Sequence, residues 1–250
     1  MPGLGIVIPR NGPGAGPILP PPLHGNGVAG ATHRYVPERL NLATGASIEK
    51  VPDLIGSIDL IPTGTSSLVL PVMGETNGQK YLKFPNSASS KYLENRSADL
   101  GAVFTFATLV RVSASGEAVI ALQADGYQMR VAGNGAWGIE AASSAGAAVG
   151  IGYSPRVAEF EILFGIGASS ATQMAVGTKF ATALPQSTIG APSPAYADLL
   201  RWGFPSGLTV GATTEHNIVE QNIWPFALDA TQRAAHVAAM KAKWTSLLTA

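Results

Sequence analysis

From Thr32 onward the chain is a succession of short stretches in which apolar and polar residues alternate, each closed by a turn signal. Residues 103–112 place Phe104, Phe106, Thr108 and Val110 on one side and Thr105, Ala107, Leu109 and Arg111 on the other. That period of two belongs to a β-strand. Residues 157–164 alternate in the same way, with Ala158, Phe160, Ile162 and Phe164 against Val157, Glu159, Glu161 and Leu163. Residues 117–123 and 127–131 flank Asp125-Gly126, a pair that favours the tight turn of a hairpin. Further strand-like runs cover 67–72, 81–84, 172–176, 208–210 and 218–226. Many short strands with turns every ~8–12 residues predict a sandwich or barrel.

The period changes once, near the C-terminus. Asp229 followed three residues later by Gln232 forms a capping box. Ala234, Val237, Met240, Lys241 and Trp244 then follow helical spacing. A helix over 229–245 is expected, with Trp244 anchoring it to the sandwich.

The first thirty residues fit neither pattern. Seven prolines (Pro2, Pro9, Pro13, Pro17, Pro20, Pro21 and Pro22) are interleaved with glycines. Proline fixes φ and lacks a donor, so this stretch forms neither a helix nor a central strand. Leu4, Ile6, Val7, Ile8, Ile18, Leu19 and Leu23 make it too apolar for an ordinary linker. Such a segment can lie in a partner's groove or along a sheet edge. The expected organisation is an anchoring arm at 1–30, a linker at 31–50 and a β-sandwich with its helix at 51–250.

Composition narrows the function classes. Charged residues are 13% of the chain, and sixteen basic residues balance sixteen acidic ones. A nucleic-acid binder would carry a basic surface, so none is expected as a partner. Near-zero net charge favours association, and a homo-oligomer such as a trimer is expected. Cysteine is absent, which removes disulfides, thiolate metal sites and cysteine nucleophiles. The opening residues lack the basic and apolar regions of an export signal. No apolar run is long enough to insert in a membrane as a helix.

Candidate chemistry is sparse. Gly25, Gly27 and Gly30 match GxGxxG, but prolines precede it where a strand is needed, so the stretch reads as a flexible hinge. His24, His33, His216 and His236 lack zinc-ligand spacing. Glu159 and Glu161 are a possible hydrolytic pair, with Cα atoms roughly 6.5–7 Å apart on one strand face. The simpler reading is a solvent-facing polar stripe. Glu75-Thr-Asn77-Gly78, Glu94-Asn95 and Asp125-Gly126 could offer oxygens to calcium, but none is an EF-hand loop and each reads as an ordinary turn. No cofactor or metal is expected. Tyr127, Trp137, Tyr196 and Trp202 lie in or near turn-rich segments and are candidate glycan contacts.

The order of segments resembles a known family. Val51-Pro-Asp53-Leu-Ile-Gly56 is similar to the "D-x-S-G" opening of concanavalin A-like, laminin-G-type jelly rolls. Tyr81-Leu-Lys-Phe84 with Lys91-Tyr92-Leu93, then Phe104-Thr-Phe-Ala107, resemble successive strands of that family. Phe160-Glu-Ile-Leu-Phe164 falls where a central strand belongs. Leu208-Thr-Val-Gly211, residues 218–226, Leu228-Asp-Ala-Thr-Gln-Arg233 and Lys241-Ala-Lys-Trp244 resemble its closing strand and helix. This closing pattern is common in such domains of bacteriophage structural proteins. The resemblance spans about residues 45 to 245.

It implies an all-β concanavalin A-like jelly-roll sandwich with one C-terminal helix, preceded here by the extended Pro/Gly-rich arm. Related glucanases carry E-x-D-x-E on a catalytic strand. Glu159-Phe160-Glu161 lacks the central Asp, so no enzymatic activity is expected. The implied protein is a virion component, assembled in the host bacterial cytoplasm. Its arm would insert into capsid or tail proteins, and its sandwich would meet host-surface glycan as a tail-fibre or adhesion module. A capsid decoration protein or head fibre is the alternative. A secreted glycan-binding or glycan-cleaving protein is the third reading.

Overall fold

A computed structural model of the chain describes residues 25–63, 69–85, 92–98, 100, 103–112, 119–124, 127–131, 137–141, 159–168, 174–177, 186–187, 199–203 and 215–248. Its strands are β1 (His33–Tyr35), β2 (Ile61–Thr63), β3 (Val72–Thr76), β4 (Gln79–Phe84), β5 (Tyr92–Asn95), β6 (Val103–Val112) and β7 (Val119–Ala124). They continue with β8 (Tyr127–Val131), β9 (Trp137–Ala141), β10 (Glu161–Ala168), β11 (Met174–Gly177), β12 (Gln186–Ser187), β13 (Leu200–Trp202) and β14 (His216–Trp224). Helix α1 (Ala230–Lys243) and the single turn α2 (Thr245–Leu248) close the chain.

The strands form two antiparallel sheets. One has the order β12-β11-β10-β6-β14-β4-β3, with β1 also paired to β14. The other has the order β2-β5-β13-β7-β8-β9. The result is the β-sandwich that the alternation predicts, of the jelly-roll type that the resemblance implies. Strand β6 shows why. Phe104, Phe106 and Val110 enter a core with Leu93, Leu200 and Trp202 of the six-stranded sheet. Ala107 and Leu109, on its other face, meet Met240, Trp244, Leu247 and Leu248 from the C-terminal helices. The eight-stranded sheet is therefore the middle of three layers.

Close approaches tighten the middle layer. Gly165 faces Phe106 across the β10–β6 pair, and a Cβ on Gly165 would lie 2.1 Å from that ring. The β3–β4 hairpin turns on Asn77 and Gly78, both with positive φ, as a two-residue hairpin turn requires. Glu75 and Asn77, weighed as calcium donors, thus serve that hairpin and its neighbours.

Helix α1 starts as the capping box predicts. Asp229 Oδ1 accepts from the Gln232 amide at 2.8 Å, and Gln232 Oε1 accepts from the Asp229 amide at 2.9 Å. The buried stripe of α1 contains His236 and Met240, and Trp244 follows at its end.

Two boundaries differ from the sequence reading. Residues 31–50 are no linker, because β1 pairs with the closing strand β14, and Tyr35, Val36 and Ile48 are core residues. Tyr35 donates from its hydroxyl to the Ile58 carbonyl at 2.7 Å. The Gly25–Gly30 stretch is no free hinge either, so the arm cannot extend to residue 30. The Asn26 carbonyl accepts from His236 Nδ1 at 2.6 Å, and the Val28 carbonyl accepts from Trp224 Nε1. Gly27, at φ +79°, lies so close to α1 that a Cβ would come 2.5 Å from the Ala235 carbonyl oxygen. Residue 25 therefore enters the fold on the helix layer, the side away from the six-stranded sheet. Leu4, Ile6, Val7, Ile8, Ile18, Leu19, Leu23 and His24 lie outside the described residues, as does the run 208–210.

Candidate functional site

In β5 and β13 successive residues point to opposite faces of the six-stranded sheet, and those from Tyr92 to Glu94 and from Leu200 to Trp202 are buried on both faces. Leu93, Leu200 and Trp202 point into the inter-sheet core. Tyr92 and Glu94 on β5 and Arg201 on β13 therefore lie on the opposite face. The backbone register aligns Ile61, Glu94, Arg201, Gln123, Gln128 and Glu140 in one row across six strands.

Glu94 is the centre of this face. Its Oε2 accepts from Arg201 Nη2 at 2.7 Å and Nε at 3.1 Å. Its Oε1 accepts from Arg96 Nε at 3.0 Å. The Arg201 guanidinium lies 4.5 Å from the Tyr92 ring centroid, within cation–π range. The cluster holds two cations and one anion. Glu94 and Arg201 are 4% exposed, whereas the Arg96 side chain is 63% exposed. Ile61, directly opposite Glu94 on edge strand β2, is 52% exposed. The exposed Arg96 fork and the apolar Ile61 thus lie over a buried layer of Tyr92, Glu94 and Arg201. A mutually paired Glu–Arg is no free acid or base, but the exposed guanidinium can take an anion or a hydroxyl.

The loop 53–59 lies against the inter-sheet core through Ile58, and is tied to β5 by Asn95 Nδ2 donating to the Asp59 carbonyl at 3.0 Å. Its base is Asp53. Asp53 Oδ1 accepts from the amides of Arg34, Ile55 and Gly56, and Oδ2 lies 2.7 Å from His33 Nδ1. Burial pushes the Asp53 carboxyl up, but the bonds from His33 and the three amides outweigh it and hold the group below its usual range. The loop stays rigid while Leu54 and Ile55 remain 43% and 51% exposed at its tip. In this arrangement His33 orients and closes the loop.

A second buried carboxylate, Glu220, sits under the helix. A β-bulge between Ile218 and Glu220 interrupts the β14–β6 register. Both Val219 and Glu220 consequently face the helix layer. Glu220 accepts from Arg34 Nε at 3.0 Å, Asn222 Nδ2 at 3.1 Å, Trp244 Nε1 at 2.9 Å and Lys243 Nζ. Desolvation raises this carboxyl, but the Lys243 and Arg34 charges prevail and keep it low. This cluster clamps the helix to the sheet.

The candidate residues read from sequence fare differently. Trp202 is not a surface contact. It is fully buried, packs edge-on to Tyr35 and donates to Gln221 Oε1 at 2.7 Å. Its indole needs one polar partner, and the inter-sheet core supplies it. The register puts Tyr127 in the row of Leu200, Ala124 and Ala141, and Trp137 opposite Val131. The two aromatics therefore start different strands at opposite ends of the β8–β9 pair. Tyr196 lies outside the described residues. The Glu159/Glu161 stripe is also turned around. Glu161 is 2% exposed and faces Val110 across the β10–β6 pair, and neither carboxylate is free. Glu94, weighed as a turn oxygen for calcium, is a strand residue bound to arginines. Among the described residues no cluster of three metal-ligating side chains occurs, and no helix is long and apolar enough to cross a membrane.

No protein-family model and no curated protein matches the chain. Solved structures do. The chain is similar to a Trypanosoma rangeli sialidase in complex with sialic acid, with TM-score 0.57 and 11% identity, over 86% of this chain and 33% of that one. It is similar to a botulinum neurotoxin type C that depends on interaction with two ganglioside molecules to get into cells, with TM-score 0.55 and 7% identity, over 80% and 51%. It is also similar to the binding domain of botulinum neurotoxin DC in complex with SialylT, with TM-score 0.55 and 7% identity, over 78% and 51%. The chain thus spans about a third of the sialidase and half of the neurotoxin chains. Likeness at this identity shows the β-sandwich fold. The sialidases also correct the expectation of a non-enzymatic protein. Chains with this sandwich include enzymes, so the missing central Asp between Glu159 and Glu161 excludes no catalysis.

Proposed function

We propose that the chain is a glycan-recognition sandwich whose ligand surface is the outer face of the six-stranded sheet around Tyr92, Glu94, Arg96 and Arg201. The observation that carries this reading is the charged cluster on the face away from both hydrophobic cores. A buried ion pair is weak evidence of stability, since desolvation offsets its attraction. An arginine pair fixed beside an exposed isoleucine is, however, a polar and apolar combination suited to a sugar. Similar folds in complex with sialic acid and SialylT support the ligand class. The test is a glycan array probed with the full chain, followed for each hit by an assay for cleavage of the bound glycan. Absence of binding to every glycan overturns the reading.

In its finer form the module belongs to a bacteriophage virion, as a tail-fibre or adhesion protein that assembles as a symmetric oligomer. Two features support this. The first residues carry an apolar Pro/Gly-rich pattern suited to insertion in neighbouring virion proteins. The fold receives them on the helix layer, so a tethered sandwich would turn its six-stranded sheet outward. Deleting residues 1–24 should abolish incorporation into particles and leave the sandwich folded. Normal incorporation of the truncated chain overturns the anchoring role. Incorporation through the arm without glycan binding favours a capsid decoration protein.

A further inference from the structure

We propose that Arg96 recognises a carboxylate-bearing, acidic sugar, an inference that rests on the glycan reading above and names its ligand class. Arg96 is built differently from a loose surface cation. Its Nε edge is pinned to Glu94 Oε1 at 3.0 Å. Glu94 is itself fixed from the other side by both donors of Arg201. The guanidinium plane is thereby oriented, while its terminal Nη groups make no hydrogen bond with the described residues and face solvent. An arginine presents its donors as a planar fork that matches a carboxylate. A pre-oriented fork loses less conformational freedom on binding.

Charge points the same way. Arg96 meets Glu94 through one edge only, and that carboxylate is already held by Arg201, so the Arg96 charge stays available at the surface. The surroundings set the rest of the ligand. Ile61 beside Glu94 is half exposed and offers an apolar surface for the C–H face of a ring. A neutral sugar could use the isoleucine but would leave the charge unanswered.

The experiment compares lactose with 3′-sialyllactose on the full-length chain, as wild type, Arg96→Gln and Arg96→Lys. Wild type should bind sialyllactose at least about tenfold more tightly than lactose, the weight of a charge-assisted hydrogen bond. R96Q should erase that preference, with the loss for sialyllactose far larger than any change in lactose binding. R96K keeps the charge but loses the Nε anchor, and should recover only part of the preference. Added salt should reduce the preference. Circular dichroism and thermal unfolding establish that each variant is folded, which the exposure of Arg96 allows. Equal binding of both sugars by wild type, or a preference that survives in R96Q, overturns the acidic-sugar inference and leaves the glycan reading standing. Failure to bind any glycan on the array overturns both.

Discussion

Glu220 and Glu94 are both buried carboxylates held by two basic side chains, yet they belong to opposite layers and differ in what surrounds them. Glu220 accepts from β1, β14 and the end of α1, so three parts of the chain meet on one side chain. Its donors are themselves largely buried, with Arg34 and Lys243 side chains 12% and 9% exposed. Glu94 joins only neighbouring strands, and one of its donors, Arg96, reaches solvent. A carboxylate whose every donor is enclosed serves to hold the fold. A carboxylate that positions an exposed donor also shapes the surface, and the following expectations separate the two roles.

Acid should have the largest effect, and it should act inside the two cores rather than at the Glu94 surface. His236 packs in the helix layer against Phe164 and Trp224, and His216 stacks on Phe84 in the inter-sheet core. Burial lowers their pKa from 6.5 to about 4 and about 3. Both rings are neutral in the fold, whereas the unfolded chain protonates them below about pH 6.5. The unfolded state therefore binds more protons in this window, and stability falls as pH drops from 6.5 toward the folded values. The loss is on the order of 3 kcal/mol for each ring by pH 3. Unfolding midpoints at pH 7.5 and 4.5 measure it. His216→Phe, which keeps the stacking, should remove a large part of the acid sensitivity. Unchanged sensitivity would show that other groups drive it.

Glu220→Ala comes next. It strands Arg34 and Lys243 beneath the helix and frees the Trp244 indole, at a cost of about 3–5 kcal/mol. Chemical denaturation provides the value, and amide exchange in α1 should rise with it. Glu94→Ala should cost less, about 3 kcal/mol, because only one of its two cations, Arg201, is buried. Arg201 keeps its contact with Tyr92, and Arg96 simply turns to water. Equal losses for the two substitutions would remove the distinction between clamp and surface.

The same contrast explains what could be read from sequence. The alternation in 103–112 exposes both cores, because each face of β6 is apolar for its own reason. The capping box and the Asp125-Gly126 pair are local signals, and strands 119–124 and 127–131 on either side of that pair are antiparallel neighbours. Strand β1 was hidden because three residues carry no periodicity, and its partner β14 lies about 190 positions away. The bulge before Glu220 breaks the alternation that would have put it on a face. Glu94 and Arg201 are separated by 107 residues, so no spacing rule joins them. Trp202 looked available because its partner Gln221 is supplied by the opposite sheet.

Arg96→Gln should have the smallest effect on stability, within about 0.5 kcal/mol. The side chain is mostly solvated, and a hydrogen bond on its exposed side competes with water. Glu94 retains both bonds from Arg201, so no buried charge is left alone. The corresponding removal at the other carboxylate, Lys243→Gln, takes a buried donor from Glu220 and should destabilise clearly more. Denaturation of the two variants side by side therefore measures how far the outer donor is dispensable to folding. A cost for R96Q as large as that for K243Q would make Arg96 part of a second clamp and deprive the outer face of its distinguishing feature. A negligible cost leaves the guanidinium held in place by the fold without being needed by it, as a residue kept for contact with another molecule should be.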